Sequence, residues 1–327
     1  MRISNLHKDP KSLAFVTTDK CTASCHNCCF NCKPANNNRL SLKSIIKIIE
    51  QVVIDFSSVK SCIFTGGECT LLKEDLAEAI EFAYKKNLLC RIVTNGCWAK
   101  SEEIAYSYLC NLHKRGLREI NLSTGDEHQK WVPFKNILNA CKAAIKLNIL
   151  VAVNVESTPN SHFCSRDFLI DQDIKKAIFK GKIILQDSLW IEFDKTNEYK
   201  QPSDSYNQGC SYLFNTISIS PNMHLLACCG LTCLESKILD LGDLNKYSIK
   251  RLWNEQFDDL VKLWLYTHGA HNIHNYLCKQ QGIPTIHEHY PHPCSMCQHI
   301  LNEPKNMEII KSNIKGILSS VLLKFNV

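Results

Sequence analysis

Cys21-Thr-Ala-Ser-Cys25-His-Asn-Cys28 sets three cysteines at a Cys-x3-Cys-x2-Cys spacing, just after the apolar run Leu13-Ala-Phe-Val16. Three thiolates on one short loop can hold three corners of a cubane iron–sulfur cluster, which usually takes four. A three-cysteine loop therefore leaves one iron open to a ligand that is not protein. That implies chemistry at the cluster rather than electron storage alone.

Outward from this loop, residues 13 to about 190 alternate strand-like and helix-like segments. Strands are expected at Phe15-Val-Thr17, Ser61 to Thr65, Leu88 to Thr94, Leu117 to Ser123, Ile149 to Glu156 and Lys182 to Leu185. Helices are expected between them: Ser41 to Phe56, with Ile45, Ile46, Ile48, Ile49, Val52 and Val53 on one stripe and Ser41 as N-cap; Lys73 to Lys86; Ser101 to Arg115, stopped by Gly116; Phe134 to Leu147; and Ile170 to Phe179. Six β-then-α steps imply a parallel sheet, and their regular succession favours a curved, partial barrel. In such folds the site lies at the C-terminal ends of the strands. The candidate motifs fall there: the cysteine loop after strand one, Gly66-Gly67-Glu68 after strand two, Thr94-Asn95-Gly96 after strand three, Ser123 to His128 after strand four, and Asn154 and Glu156 at the end of strand five.

The chain has 327 residues, enough for one large α/β domain and a smaller appendage. A net charge of +6 without a dense Lys/Arg run or a groove-reading motif argues against nucleic acid as partner. No stretch of about 18 apolar residues exists, so no membrane span is expected. The nineteen cysteines are the anomaly. The N-terminus lacks an apolar signal region, the count is odd and the chain is too long to need staples, so a secreted disulfide scaffold is disfavoured and a cytoplasmic protein expected. Cys62, Cys90, Cys110 and Cys141 sit in core-like runs and read as buried thiols. Cys25-x2-Cys28 and Cys29-x2-Cys32 could pass for a zinc knuckle, but that leaves the Gly-Gly-Glu placement unexplained.

Beyond residue 190 the alternation stops. Gln201 to Gly209 reads as a linker. Two short strands (Thr216 to Ser220, His224 to Ala227), the pair Cys228-Cys229, a helix from about Ile249 to Tyr266 and a His-rich stretch ending in Cys294-Ser-Met-Cys297 follow. His268, His271, His274, His287, His289 and His292 read as a solvated loop or substrate contact, with metal binding as the alternative. Ile314 to Leu323 reads as a packed terminal segment.

Cys21, Cys25 and Cys28, with Gly66-Gly67-Glu68 in register after the second strand, resemble the radical S-adenosylmethionine (SAM) enzymes over residues 13 to 190. The resemblance implies a partial (β/α)6 TIM-like barrel, a [4Fe–4S] cluster on the three cysteines, and S-adenosyl-L-methionine chelating the open iron and yielding a 5′-deoxyadenosyl radical. It implies that Gly66 and Gly67 receive the methionyl amino group with Glu68 nearby, and that Asn95, Ser123, Asp126 and Asn154 contribute to the cofactor shell, with Glu156 a further candidate. Ser123 and Asp126 read alone are turn formers. Asn27 stands where the family often has an aromatic residue.

Cys294-x2-Cys297 is a ligand pair by spacing, and Cys210 with Cys228 would close a second cluster. This arrangement, with Leu241-Gly-Asp-Leu and Leu252-Trp-Asn-Glu, resembles the auxiliary-cluster module called SPASM or, when shorter, twitch; it implies one auxiliary [4Fe–4S] cluster. The module usually has a glycine five residues before its second cysteine, where this chain has Met223. The domain expectation is thus a radical SAM barrel over 1–195, a linker over 196–209 and the auxiliary module with C-terminal helices over 210–327. Neighbouring side chains diverge on an extended strand, so if Cys228 ligates, Cys229 points elsewhere. It is either a spare buried thiol or a hydrogen-atom donor.

The whole chain, including Cys28-Cys29-Phe-x-Cys32 and Cys228-Cys229, resembles the radical peptide epimerases that act on ribosomally made peptides. That implies abstraction of a Cα hydrogen from an L-residue and its return to the opposite face by Cys229. The acidic residue that the family carries a few positions after the first auxiliary cysteine is absent from Ser211 to Thr216. Two other readings stand beside it: a radical enzyme forming thioether or carbon–carbon cross-links in a peptide, and a non-catalytic iron–sulfur or zinc protein. The expected partners are a precursor peptide and an electron donor of the flavodoxin or ferredoxin type.

Overall fold

The computed structural model of the protein describes residues 6–157, 160–188, 208–284, 290 and 292–325. Most of the expected linker, together with His287 and His289, lies outside them. The chain divides into two compact units. One comprises Lys11–Trp190 with Ile219–Asn222; the other Met1–Pro10, Ile191–Ser218 and Met223–Val327.

The first unit runs β1 (Ser12–Val16), α1 (Leu42–Asp55), β2 (Ser61–Thr65), α2 (Glu74–Lys85), β3 (Leu89–Thr94), α3 (Glu102–Lys114), β4 (Leu117–Gly125), the one-turn α4 (Asp126–Gln129), α5 (Phe134–Lys146), β5 (Leu150–Glu156), α6 (Gln172–Phe179) and β6 (Ile183–Ser188). The six strands lie in sequence order, each parallel to the next. Among the described residues nothing pairs β6 back to β1, so this is an open, partial barrel. Helix starts follow local chemistry: Ser41 Oγ accepts from Ser44 N at 3.1 Å, and Ser101 Oγ from Ile104 N at 3.2 Å. Ile45, Ile48, Ile49 and Val52 of α1 are buried. Removing such side chains from water contributes about 1.5–3 kcal/mol each, which fixes the helix against the sheet.

Along the central strands every second residue is buried: Cys90, Ile92 and Thr94 on β3, Ile120, Leu122 and Thr124 on β4, Val151, Val153 and Val155 on β5. The alternating residues Arg91, Glu119, Asn121, Ser123 and Asn154 are half-exposed on the opposite face. Cys62, Cys90 and Cys141 belong to the core, whereas Cys110, expected there, is only half-buried on α3. None of the nineteen cysteines is in a disulfide.

The second unit contains β7 (Thr216–Ile219, its last residue counted with the barrel), β8 (His224–Leu226), β9 (Asp240–Asp243), α7 (Ile249–Glu255), α8 (Leu260–Gln281), α9 (Pro293–Asn302), α10 (Pro304–Ser312) and α11 (Ile314–Phe325). β8 and β9 pair antiparallel, with a bulge at Leu225/Leu226. Met223, at the position where a glycine is usual, adopts φ 64°, the left-handed conformation glycine would take freely.

Two expectations need correction here. The single helix from Ile249 to Tyr266 is broken, because Asp259 is extended and its carboxylate caps a new helix through Val261 N and Lys262 N. That new helix, α8, continues to Gln281 past a kink at Gly269 (φ 76°), so His268, His271 and His274 are helical and not in a loop. No described helix is long and apolar enough to cross a membrane.

Candidate active site and auxiliary cysteine site

The loop after β1 is stitched at both ends. Asp19 N donates to Asn38 O at 3.1 Å, and the Asp19 carboxylate accepts from Asn38 N at 2.9 Å. Cys21 N donates to Lys33 O at 3.2 Å, Lys33 N to Asp19 O at 3.3 Å, and Leu40 N to Thr17 O at 2.9 Å. Cys21, Cys25 and Cys28 lie between these stitches, half-buried and close enough to influence one another electrostatically. Burial pushes the Cys21 thiol up to about 11 and the Cys25 thiol to about 12, and the neighbouring thiols add to it. Thiolates at Cys21 and Cys25 need a cation to offset the loss of water, and three soft sulfur donors suit iron.

Gly66-Gly67-Glu68 continues β2 alongside this loop. Gly67 N donates to Thr18 O at 2.7 Å and Glu68 N to Lys20 O at 2.9 Å. A Cβ on Gly66, whose φ is 140°, would lie 2.5 Å from Thr18 O, and one on Gly67 2.2 Å from Lys20 O. The glycines are therefore required by the close passage of the cysteine loop's own backbone. Glu68 is fully buried. Its carboxylate accepts from Thr70 N (3.2 Å), Thr70 Oγ1 (2.7 Å), Thr94 Oγ1 (2.8 Å) and Asn95 N (2.8 Å). It ties the end of β2 to the end of β3. Asn95 carries the chain of bonds onward, its Nδ2 donating to Thr22 Oγ1 at 2.9 Å and reaching Cys21 Sγ at 3.7 Å.

Ser123 and Asn154 are register partners on β4 and β5, both on the half-exposed face. The Asp126 carboxylate accepts from His162 N at 2.8 Å and Phe163 N at 3.0 Å, clamping the segment after β5. It is a turn organiser, as its residue type alone suggested.

A second polar group was not foreseen. Asn27, in the aromatic residue's place, donates through Nδ2 to Glu156 Oε1. His128 Nδ1 lies 3.9 Å from Glu156 Oε2, and Asn27, His128 and Glu156 are all buried. The Glu127 carboxylate accepts from His26 N at 3.4 Å. The signal for this group was present in the sequence: an amide in the cysteine loop and a carboxylate ending β5.

In the second unit, Cys210, Cys228, Cys294 and Cys297 line one cavity of about 230 Å³, joined by His292, Tyr212 and Thr232. Two close backbone crossings border it. A Cβ on Gly209 would lie 1.9 Å from Tyr266 O, and one on Gly269 2.0 Å from Gln208 O; Cys210 N donates to Leu265 O at 3.0 Å. Cys294 and Cys297 share a face of the first turn of α9, which His292 caps through Nδ1 to Cys294 N at 3.1 Å. Burial pushes Cys294 up to about 12 and Cys228 and Cys297 well above their ordinary value, each reinforced by the other thiols. The donor set is again soft sulfur without a carboxylate, the chemistry an iron–sulfur cluster requires. Cys229 is half-buried and does not line the cavity. Among the described residues, no group of three or more His, Cys, Asp and Glu side chains closes on a single metal ion.

Comparison with known proteins agrees with this geometry. Residues 15–158 match the model of the family described as the radical SAM superfamily. YydG of Bacillus subtilis (strain 168), described as a peptide biosynthesis protein, is 23% identical over 149 residues, 45% of this chain and 46% of that protein; the match spans about half of its length. The fold resembles anSMEcpe with bound AdoMet and Cp18Cys peptide (TM-score 0.53, 14% identity, 95% of this chain and 99% of that one). It also resembles BtrN in complex with AdoMet and 2-DOIA (TM-score 0.50, 14% identity, 80% and 89%). Residues 15–158, set on an open parallel barrel with three cysteines in the loop after β1, thus form a radical SAM domain.

Proposed function

We propose that this chain epimerises residues of a ribosomally made peptide, with Cys21, Cys25 and Cys28 holding the radical SAM cluster and Cys210, Cys228, Cys294 and Cys297 an auxiliary [4Fe–4S] cluster. When bound, the first cluster and SAM supply a 5′-deoxyadenosyl radical able to remove a Cα hydrogen. Gly66, Gly67, Asn95, Ser123 and Asn154 border the cofactor, while Glu68 and Asp126 act by holding the loops that carry it. Cys229 then returns a hydrogen atom to the opposite face of Cα. Its sulfur must regain one proton and one electron before the next turnover, the electron coming from a flavodoxin- or ferredoxin-type donor.

The observation that carries the reading is the division of the adjacent pair: Cys228 lines the four-thiol cavity and Cys229 does not. The likeness to YydG, a protein described by peptide biosynthesis, supports a peptide as substrate. The test is co-expression with a candidate precursor peptide in deuterated water. The intact enzyme is expected to give D-residues carrying deuterium at Cα with otherwise unchanged mass. Cys229→Ala is expected to form 5′-deoxyadenosine but no D-residue. D-residues from that variant would rule out the donor, and a product about two hydrogens lighter would favour the cross-linking reading.

A further inference from the structure

The cysteine loop contains a thiol that the proposed ligand set does not use. Cys32 is 1% exposed, four residues after Cys28. Asn31, at φ 49° and with its N–H bonded to Cys28 O at 3.0 Å, turns the chain back. The next residue, Lys33, then bridges in parallel to Lys20, through Lys33 N to Asp19 O and Cys21 N to Lys33 O. Cys32 is thereby held between the two ends of the loop. From there its backbone N–H donates to Cys28 Sγ at 3.3 Å, and its thiol lies within hydrogen-bond reach of the same sulfur, with Phe30 O, 3.6 Å away, as its other acceptor.

A buried cysteine is ordinarily inert packing. This one aims its backbone N–H at a candidate ligand sulfur, and its single thiol proton has that sulfur and Phe30 O as alternative acceptors. Donors aimed at a cluster thiolate stabilise the more negative, reduced cluster more than the oxidised one, and so raise its reduction potential. They also fix the orientation of the Cys28 side chain. We propose that Cys32 is a positioning residue for the radical SAM cluster: it holds the Cys28 sulfur as a hydrogen-bonded ligand and makes the cluster easier to reduce. The inference rests on the assignment of Cys21, Cys25 and Cys28 as cluster ligands, and the test separates the two.

The measurement is a redox titration of the reconstituted full-length protein, followed by electron paramagnetic resonance on the signal that changes when SAM is added. If the intact protein shows no such signal, the ligand assignment falls, and the inference with it. Given the signal, Cys32→Ala is expected to keep its iron and to shift the midpoint to more negative potential, because the S–H donor is gone while the N–H remains. Cys32→Ser, which keeps a donor, is expected to stay near the intact value. Loss of the cluster in the alanine variant alone, with a serine variant of intact-like potential, supports the same role. An unshifted midpoint in Cys32→Ala at full iron content overturns it. So does failure of both variants to build the cluster, which would make Cys32 a ligand or a core residue.

Discussion

At the scale of single residues, backbone conformation and approach decide what the site tolerates. Gly67 and Met223 are opposite cases. Gly67→Ala would drive a methyl into Lys20 O and is expected to lower stability by about 1–3 kcal/mol, with loss of iron from the loop. Met223→Gly would relieve a left-handed residue and is expected to raise stability by about 1 kcal/mol. Thermal melts of the two variants with iron analysis check both; unchanged melting in either would contradict it. The cysteines and Gly-Gly-Glu were legible because spacing is a one-dimensional property. The reason for the glycines was not, since Thr18 and Lys20 meet them across about fifty residues of chain. Asp126 shows the converse: its position at the end of β4 suggested a cofactor contact, whereas its bonds to the backbone at 162 and 163 could be read only from the fold.

At the scale of elements, capping and cross-links between helices set the boundaries. Asp171 starts α6 by accepting from Asp173 N (3.0 Å) and Ile174 N (3.1 Å), and pairs with Lys142 of α5 at 2.8 Å. Burial works to raise its carboxyl, but Lys142 and the two amides outweigh it and hold the group below the usual carboxylate range. Its contribution is thus complete above the unfolded carboxylate pKa, about 4, and is lost as pH falls through the lower folded value. Asp171→Asn keeps the cap and loses the charge, so it is expected to cost about 1 kcal/mol at pH 7 and almost nothing in strong acid. Urea unfolding across pH reads this; a pH-independent difference would contradict it. The barrel's elements were legible from their alternating periods. The break between α7 and α8 was not, because Gln256 to Asp259 carries no Gly or Pro and only the capping by Asp259 marks it.

At the scale of the molecule, each of the two compact units holds its own set of cysteines. If each set holds a cubane, reconstituted protein carries about eight irons per chain, and the double variant Cys294→Ala/Cys297→Ala about four. That variant is expected to keep SAM binding and deoxyadenosine formation while losing peptide product. Iron analysis and chromatography test it, and an iron content unaffected by the double substitution would dismiss the second cluster. The two sets were legible as clusters of one residue type; that Cys228 rather than Cys229 lines the cavity required the fold.

The stitches that flank the cysteine loop bear on how the protein matures. Residues 17–21 are bonded to 33–40 on one side and to 66–68 on the other by peptide groups, with side chains such as Asp19 adding to them. These bonds need no iron, so the rim of the receptacle belongs to the polypeptide and only the short arc carrying Cys25 and Cys28 must settle around a cluster. Little chain entropy is left for the metal to overcome. A barrel made in this way is expected to keep its fold when the cluster is lost, and so to accept a new one.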